Sequence, residues 1–325
     1  METPLLALLH LMGDGEFHSG EELGSVLAIS RTAVWKQLQK LQKLGLDYES
    51  VKGRGYRLSV PLELLDAKQI ASLSNIDPTR IQVLSSCDST NSQLLDSSAP
   101  LPSESFCLAE QQTAGKGRRG RQWVSPFGCN LYLSGVWQFE GGAAQLEGLS
   151  LAVGVCIARA LESFGVEGVQ LKWPNDVLVG GKKLAGILLE MSGDPAGLCR
   201  VVVGVGINMQ MPATSAQSID QPWIDLQRLV REQKLAPVGR NTLAAGLIQQ
   251  LCGLMIKFER GGFTPWRELW LQRAAFLGSQ VSLQTANSVV DGTLIGVDNS
   301  GALQLSVGDE ERLFYGGEVS LRAVS

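Results

Sequence analysis

The chain has 325 residues, room for two or three domains, with 44% hydrophobic and 18% charged residues. A net charge of −4 gives no global attraction to nucleic acid, so any DNA contact has to come from a local basic patch. His10 and His18 are its two histidines, which excludes an imidazole base, a Ser-His-Asp triad or a histidine-zinc cluster from residues 19–325.

No apolar run reads as long enough, at about 18 residues, to cross a membrane. The N-terminal METPLLALLHLMGDGEF lacks the basic region and small-residue cleavage pattern of a signal peptide. The expectation is a cytoplasmic protein with no membrane partner. Six scattered cysteines without a C-x-x-C fit a reduced compartment and argue against structural zinc.

In chain order, Leu5 to Met12 is apolar, and Ser19-Gly20-Glu21-Glu22 is a capping box opening a short helix. Ser30 caps a longer helix with Val34, Leu38, Leu41 and Leu44 at helical spacing, ended by Gly45. Two strands joined by a glycine turn follow in YESVKGRGYRL. Helix, turn, helix and basic hairpin make a winged helix-turn-helix over 1–62. Seven Lys or Arg between Arg31 and Arg57 face only Asp47 and Glu49, the patch that phosphate neutralisation requires. Its expected DNA contacts are Arg31, Thr32, Trp35 and Lys36 on the second helix, with Lys52 and Arg54 on the wing.

From 63 to 270 strand-like and helical runs alternate, which predicts a mixed α/β domain. The strands expected are Ile81–Ser85, Phe106–Glu110, Asn130–Trp137, Val169–Trp173, Lys183–Met191 and Arg200–Val205, with long helices over Gln145–Phe164 and Thr242–Phe258. Over 271–325, short strands alternate with Asn287-Ser288, Asn299-Ser300-Gly301 and Gly308-Asp309 turns, as in an SH3-like β-barrel. The fold class is therefore α+β and multidomain.

Gly115-Lys116-Gly117-Arg118-Arg119-Gly120 spells the dinucleotide fingerprint G-x-G-x-x-G after a strand. That reading fails on context: Arg121 to Gly128 carries Pro126 where a helix would have to open, and the next regular element is a strand. Backbone N–H groups and several cations on a glycine-rich loop suit a flap over a phosphate or carboxylate instead. Trp123 beyond it offers a flat wall for a purine. Further on, Lys172-Trp173-Pro174-Asn175-Asp176 sets a cation, a ring and a carboxylate on a strand end, and Gly180-Gly181 reads as a hairpin turn delivering Lys183.

S-T-N, E-Q-Q-T-A-G-K-G-R-R-G-R-x-W-x-S-P-x-G-x-N-L-Y-L-S, K-W-P-N-D, K-L-A-G-I-L-x-E and G-x-G-I-N occur in that order. Together they resemble the biotin–protein ligases, and the N-terminal module resembles the bifunctional members that also repress biotin synthesis. The resemblance implies a class II synthetase-like ligase domain that forms biotinyl-5′-adenylate from biotin and ATP, with Mg²⁺ on the ATP phosphates rather than on protein ligands. It implies transfer of biotin to a lysine of the biotin carboxyl carrier protein of acetyl-CoA carboxylase. It also implies operator DNA as a partner, biotinyl-AMP as corepressor, and a homodimer when the adenylate is bound.

Carried onto matching positions, it places Ser89, Thr90, Asn91, Gln112, Lys116, Gly117, Arg118, Lys183 and Gly186 around biotin. Arg118, Arg119, Arg121, Trp123, Asn130, Asn175 and Asn208 fall to ATP and the adenylate. Lys183, Asp176 and Arg118 fall to catalysis, with Asp176 as base or orienter for the incoming lysine. The chemistry agrees, since a carboxylate attacking a phosphate needs a cationic site and no histidine. The family's loop usually begins G-R-G-R-R-G, and Lys116 departs from it by losing the planar fork. The lipoate ligases, and a transcription factor that only senses a ligand, are the alternatives.

Overall fold

The computed structural model describes residues 4–98, 101–285, 288–316 and 320–323; Asn287 of the expected Asn287-Ser288 turn lies outside them. Three helices open the chain: α1 (Pro4–Met12), α2 (Gly20–Val26) and α3 (Arg31–Lys43). Both ends that the sequence marks are capped. Ser19 Oγ accepts from Glu22 N at 3.0 Å and Glu22 Oε2 accepts from Ser19 N at 3.4 Å, while Ser30 Oγ accepts from Ala33 N at 3.2 Å. Each such cap is worth about 1 kcal/mol. Val34, Leu38 and Leu41 are the buried face of α3. The wing is the antiparallel pair β1 (Tyr48–Val51) and β2 (Gly55–Leu58), with Gly53 at φ +81° in its tip.

A connector holding α4 (Ala67–Ser74) leads to a seven-stranded sheet. In chain order the elements are β3 (Ile81–Leu84), α5 (Thr90–Leu95), β4 (Ser105–Ala109), β5 (Leu131–Phe139), α6 (Leu149–Ser163), β6 (Val169–Lys172), β7 (Asp176–Val179), β8 (Lys182–Gly193) and β9 (Cys199–Ile207). The spatial order is β3-β4-β5-β9-β8-β7-β6; β3 and β4 are parallel and every other neighbour antiparallel. Short helices α7 (Ala213–Ala216) and α8 (Leu226–Glu232) precede α9 (Arg240–Gly261) and α10 (Thr264–Leu271).

Strand alternation gives the sheet two faces. Leu131, Leu133 and Trp137 of β5 and Val201, Val203, Val205 and Ile207 of β9 enter the main core under α6 and α9. Ala143–Ser163 is apolar and long enough by composition to cross a membrane, which counting uninterrupted apolar runs does not detect. Its place in the core between sheet and helices accounts for that composition.

The C-terminal strands β10 (Gln280–Gln284), β11 (Val289–Val297), β12 (Leu303–Val307), β13 (Glu310–Phe314) and β14 (Ser320–Ala323) form an antiparallel sheet in the order β13-β12-β11-β10-β14. Its inner residues, among them Val281, Leu294 and Leu305, are continuous with the central core. Trp173 is buried at this junction, its indole N–H donating to Gly301 O at 3.0 Å. The helical module has its own core, with two outside contributions: Leu64 from the connector and Phe127 from the segment after the glycine loop.

Candidate active site

The opposite sheet face carries a cavity of about 300 Å³. Its floor follows from register, with Tyr132, Gly206 and Gly186 side by side on three strands and Ser134, Gly204 and Leu188 in the next row. The glycines are required here. A Cβ on Gly206 would stand 2.5 Å from Trp123 Cε2, and one on Gly204 would collide with the Asn91 amide. Trp123 therefore lies flat on bare backbone, and its buried indole N–H has no hydrogen-bond partner among the described residues.

The glycine loop folds over this floor as a small hairpin rather than a helix start. Gly117 N donates to Arg121 O at 2.7 Å and Trp123 N to Gly115 O at 2.8 Å, around a tight turn with Arg119 at φ +60°. Arg118 donates to Asn175 Oδ1 at 3.1 Å. Burial lowers the Arg118 pKa from its ordinary value, against the opposing charge of Asp176. The group still carries its charge at neutral pH, because guanidinium starts so high.

Lys183 arrives as the sequence implies. Gly180 and Gly181, at φ +56° and +72°, form the two-residue turn from β7 to β8. Its ammonium is 2.7 Å from Asp176 Oδ1 and 5.3 Å from the centre of the Trp123 ring. The pair is 14% exposed on each side, so neither charge is fully screened. An ammonium, a guanidinium and an aromatic face thus meet over a glycine floor, an arrangement suited to a planar base and an acyl phosphate.

At the other end, polar side chains form a continuous row. Thr90 N donates to Gln112 Oε1 at 2.9 Å and Gln112 Nε2 to Ser125 Oγ at 3.1 Å. Ser134 Oγ lies 2.7 Å from Thr90 Oγ1 and 2.6 Å from Asn91 Oδ1. Thr90, Asn91 and Ser134 are all buried. Ser89 stands at the N-cap of α5 without a capping bond from its side chain, which leaves the hydroxyl to the cavity. Cysteine chemistry is disfavoured, because burial pushes the Cys87 thiol beside Gln112 up to about 11.

The biotin/lipoate A/B protein ligase family model matches residues 83–208, an HTH domain residues 5–57, and the biotin protein ligase C-terminal domain residues 276–322. The bifunctional ligase/repressor BirA of Escherichia coli is 42% identical over 321 residues, 99% of this chain and 98% of that protein. The chain belongs to the biotin protein ligase family. BirA of Bacillus subtilis is 30% identical over 328 residues, covering 99% of this chain and 98% of its own. Among solved structures, the Aquifex aeolicus biotin protein ligase in complex with biotin and ATP is similar at TM-score 0.64 and 27% identity, over 75% of this chain and 99% of that one.

Within this biotin protein ligase, the cavity wall gathers almost every residue the motifs single out, from Ser89, Thr90, Asn91 and Gln112 to Asn175, Asp176, Lys183, Gly186 and Asn208, with loop residues 116–119, 121 and 123. Asn130 is the exception. It is fully buried away from the cavity wall, with Oδ1 accepting from Met209 N at 2.9 Å and its carbonyl accepting from Arg240 at 2.8 Å. A polar residue at a strand end reads as a ligand in sequence, but its bonds are spent on the scaffold.

Sequence reasoning also missed part of the wall. Met211, Ile219 and Trp223 line the cavity from the segment around the one-turn helix α7, held by Lys183 N to Pro222 O at 2.9 Å and Ile224 N to Lys183 O at 3.0 Å. Leu321 reaches the cavity from the C-terminal sheet. No periodicity betrays such a segment; Pro222-Trp223 before the Asp225 helix cap is its only local mark.

In the N-terminal module Thr32, Lys36, Lys52 and Arg54 are exposed, and Trp35 is 53% exposed in the first turns of α3. Arg31 is exposed and paired with Glu21 at 2.5 Å. The Arg54 and Arg57 guanidinium groups lie 4.1 and 4.6 Å from the Phe17 ring centre, which braces the wing against the body.

Proposed function

We propose that this chain is an ATP-dependent biotin–protein ligase that joins biotin and ATP as biotinyl-5′-adenylate and hands biotin to a lysine of the biotin carboxyl carrier protein of acetyl-CoA carboxylase. It is also a DNA-binding repressor of biotin synthesis, with biotinyl-AMP as corepressor. The observation that carries the ligase reading is Lys183, held between Asp176 and the Trp123 ring at the junction of the cavity's polar row and its aromatic wall.

In the first step the biotin carboxylate attacks the α-phosphorus of ATP, the bond to the bridging oxygen breaks, and pyrophosphate leaves. Lys183 neutralises the carboxylate and then the acyl phosphate, and Arg118, braced by Asn175, covers the phosphate side. Ser89, Thr90 and Gln112 take the biotin head group, and Trp123 and Asn208 flank adenine. In the second step the carrier lysine attacks the acyl carbonyl and AMP leaves. The Asp176 carboxylate is already engaged by Lys183 at 2.7 Å, which supports an orienting role.

A Mg²⁺ ion held by the ATP phosphates would offset their charge. The donor set fits that route, since Asp176 at the cavity is occupied by Lys183. Residues 1–62 serve DNA binding, 63–270 catalysis, and 271–325 complete the cavity. A homodimer of the adenylate-bound form suits a two-half-site operator, and a cytoplasmic location fits both substrates.

Incubation with labelled biotin, ATP and a biotin carrier domain tests the ligase reading. Wild type labels the carrier, and Lys183→Ala lowers labelling by roughly a hundredfold or more, the scale of removing one electrostatic stabiliser. A Lys183→Ala protein with near wild-type transfer would defeat the assignment.

A further inference from the structure

Glu190 lies on the cavity face of β8, one row beyond Leu188 and opposite Val202, and is not part of the cavity wall. Its two carboxylate oxygens face different partners. Oε2 accepts from Asn91 Nδ2 at 2.8 Å, and Oε1 is 3.3 Å from Lys116 Nζ of the glycine loop. We propose that Glu190 is a positioning residue that fixes the hydrogen-bond polarity of the head-group pocket and latches the glycine loop to it; this rests on the biotin reading above.

The polarity follows from counting hydrogens. An ionised carboxylate only accepts, and so does the Leu188 carbonyl 3.3 Å from Asn91 Nδ2, so the Asn91 NH₂ must face both. Asn91 Oδ1 is then turned to Ser134 Oγ, at 2.6 Å. Ser134 has one hydrogen for two close oxygens, and it goes to the amide oxygen, which has none to give. Ser134 Oγ is left to accept from Thr90 Oγ1, 2.7 Å away. Thr90, which lines the cavity, consequently presents lone pairs to the ligand. Thr90 Oγ1 also lies 3.2 Å from Gln112 Oε1, but its one hydrogen goes to the closer Ser134 Oγ, which has none left to give. From Thr90 Oγ1 through Ser134 and Asn91 each side-chain donor points toward Glu190, and the Thr90 end becomes an acceptor.

An acceptor is what a cyclic urea needs, because its ring edge offers N–H donors. Without the anchoring carboxylate, only the longer Leu188 carbonyl contact opposes a flip of the Asn91 amide, and with that flip the hydrogens of Ser134 and Thr90 reverse. The Lys116 contact couples this arrangement to loop closure, since the same carboxylate balances the loop's ammonium.

Pyrophosphate release by the full-length protein tests the relay. In Glu190→Gln the KM for biotin should rise at least about tenfold, as expected for a broken buried network. The KM for ATP and kcat should stay within about twofold and the melting temperature should hold. Ser134→Ala removes the middle of the relay without touching the loop, and gives the same split if Glu190→Gln does not fold. A parallel rise in both KM values, a loss confined to kcat, or an unchanged biotin KM overturns the proposal. Wild type that releases no pyrophosphate with biotin defeats the ligase reading itself; a working wild type beside an indifferent Glu190→Gln defeats the relay alone.

Discussion

Lys116 holds its loop by a single point of charge. Its ammonium is 3.3 Å from Glu190 and 43% exposed, so solvent screens the pair and its worth is small. An arginine at this position would keep the ion pair and add N–H donors in a fixed plane, enough for a second contact with carboxylate or phosphate. Lys116→Arg should therefore release biotinyl-adenylate about two- to fivefold more slowly, the range of an exposed pair improved in geometry. A single-turnover chase measures this; release as fast as in wild type would show that the loop's hold does not depend on residue 116. The neighbouring cations differ in kind. Arg118 is braced by Asn175, while Arg119 and Arg121 border the cavity as exposed side chains.

Among the elements, α2 depends on a titratable residue just before its capping box. His18 lies 3.0 Å from Asp14 and 3.2 Å from Glu22, and its backbone pairs with Tyr56 of the wing strand in both directions at 2.8 Å. Burial pulls the His18 pKa down, but hydrogen bonds to Asp14 and Glu22 outweigh it, and the net shift is upward from 6.5. The folded module therefore favours the protonated ring. That stabilisation is fully present below about pH 6.5 and is lost as pH rises through the raised folded value. The module should melt higher at pH 6 than at pH 8, and His18→Gln should flatten the difference. A wild-type melting temperature that climbs from pH 6 to pH 8 would contradict it. Asp14 is lowered from 3.8, chiefly by the Glu16 backbone N–H, and matters only in acid.

The same element shows why parts of the fold were legible. Ser19 and Ser30 announce helices through chemistry that acts within three residues, and Gly180-Gly181 announces a turn by the φ it needs. The short strand β7 was missed because Lys172 to Asp176 reads as the end of one strand, while the pairing of β7 with β6 and β8 is supplied from elsewhere. The candidate site was legible where motif residues project from strands and the loop. It was illegible where tertiary packing decides, as at Trp223 on the wall and Asn130 behind it.

Across the whole molecule, one buried charge pair inside the ligase body anchors the connector that leads from the DNA-binding module. Arg240, at the start of α9, meets Glu110 at 2.6 Å with side chains 6% and 3% exposed. The same guanidinium donates to Glu63 O at 2.7 Å and to Asn130 O at 2.8 Å, and Glu110 accepts from Leu65 N at 2.6 Å. Glu63 to Leu65 is the connector from the wing, Glu110 precedes Gln112 of the head-group row, and Asn130 holds the strand end beside Asn208. Phe127 adds an apolar tie, with its side chain in the module's core four residues beyond Trp123. Removing one partner of such a pair strands the other charge in a low-dielectric site, at about 3–5 kcal/mol. Arg240→Met should therefore lose stability on that scale in urea unfolding. Glu110→Gln combined with Arg240→Met should lose less than Arg240→Met alone, because no orphaned charge remains. If the double variant is the less stable of the two, the cost lies in lost packing and backbone bonds of Arg240, and the charge pair is not what anchors the connector.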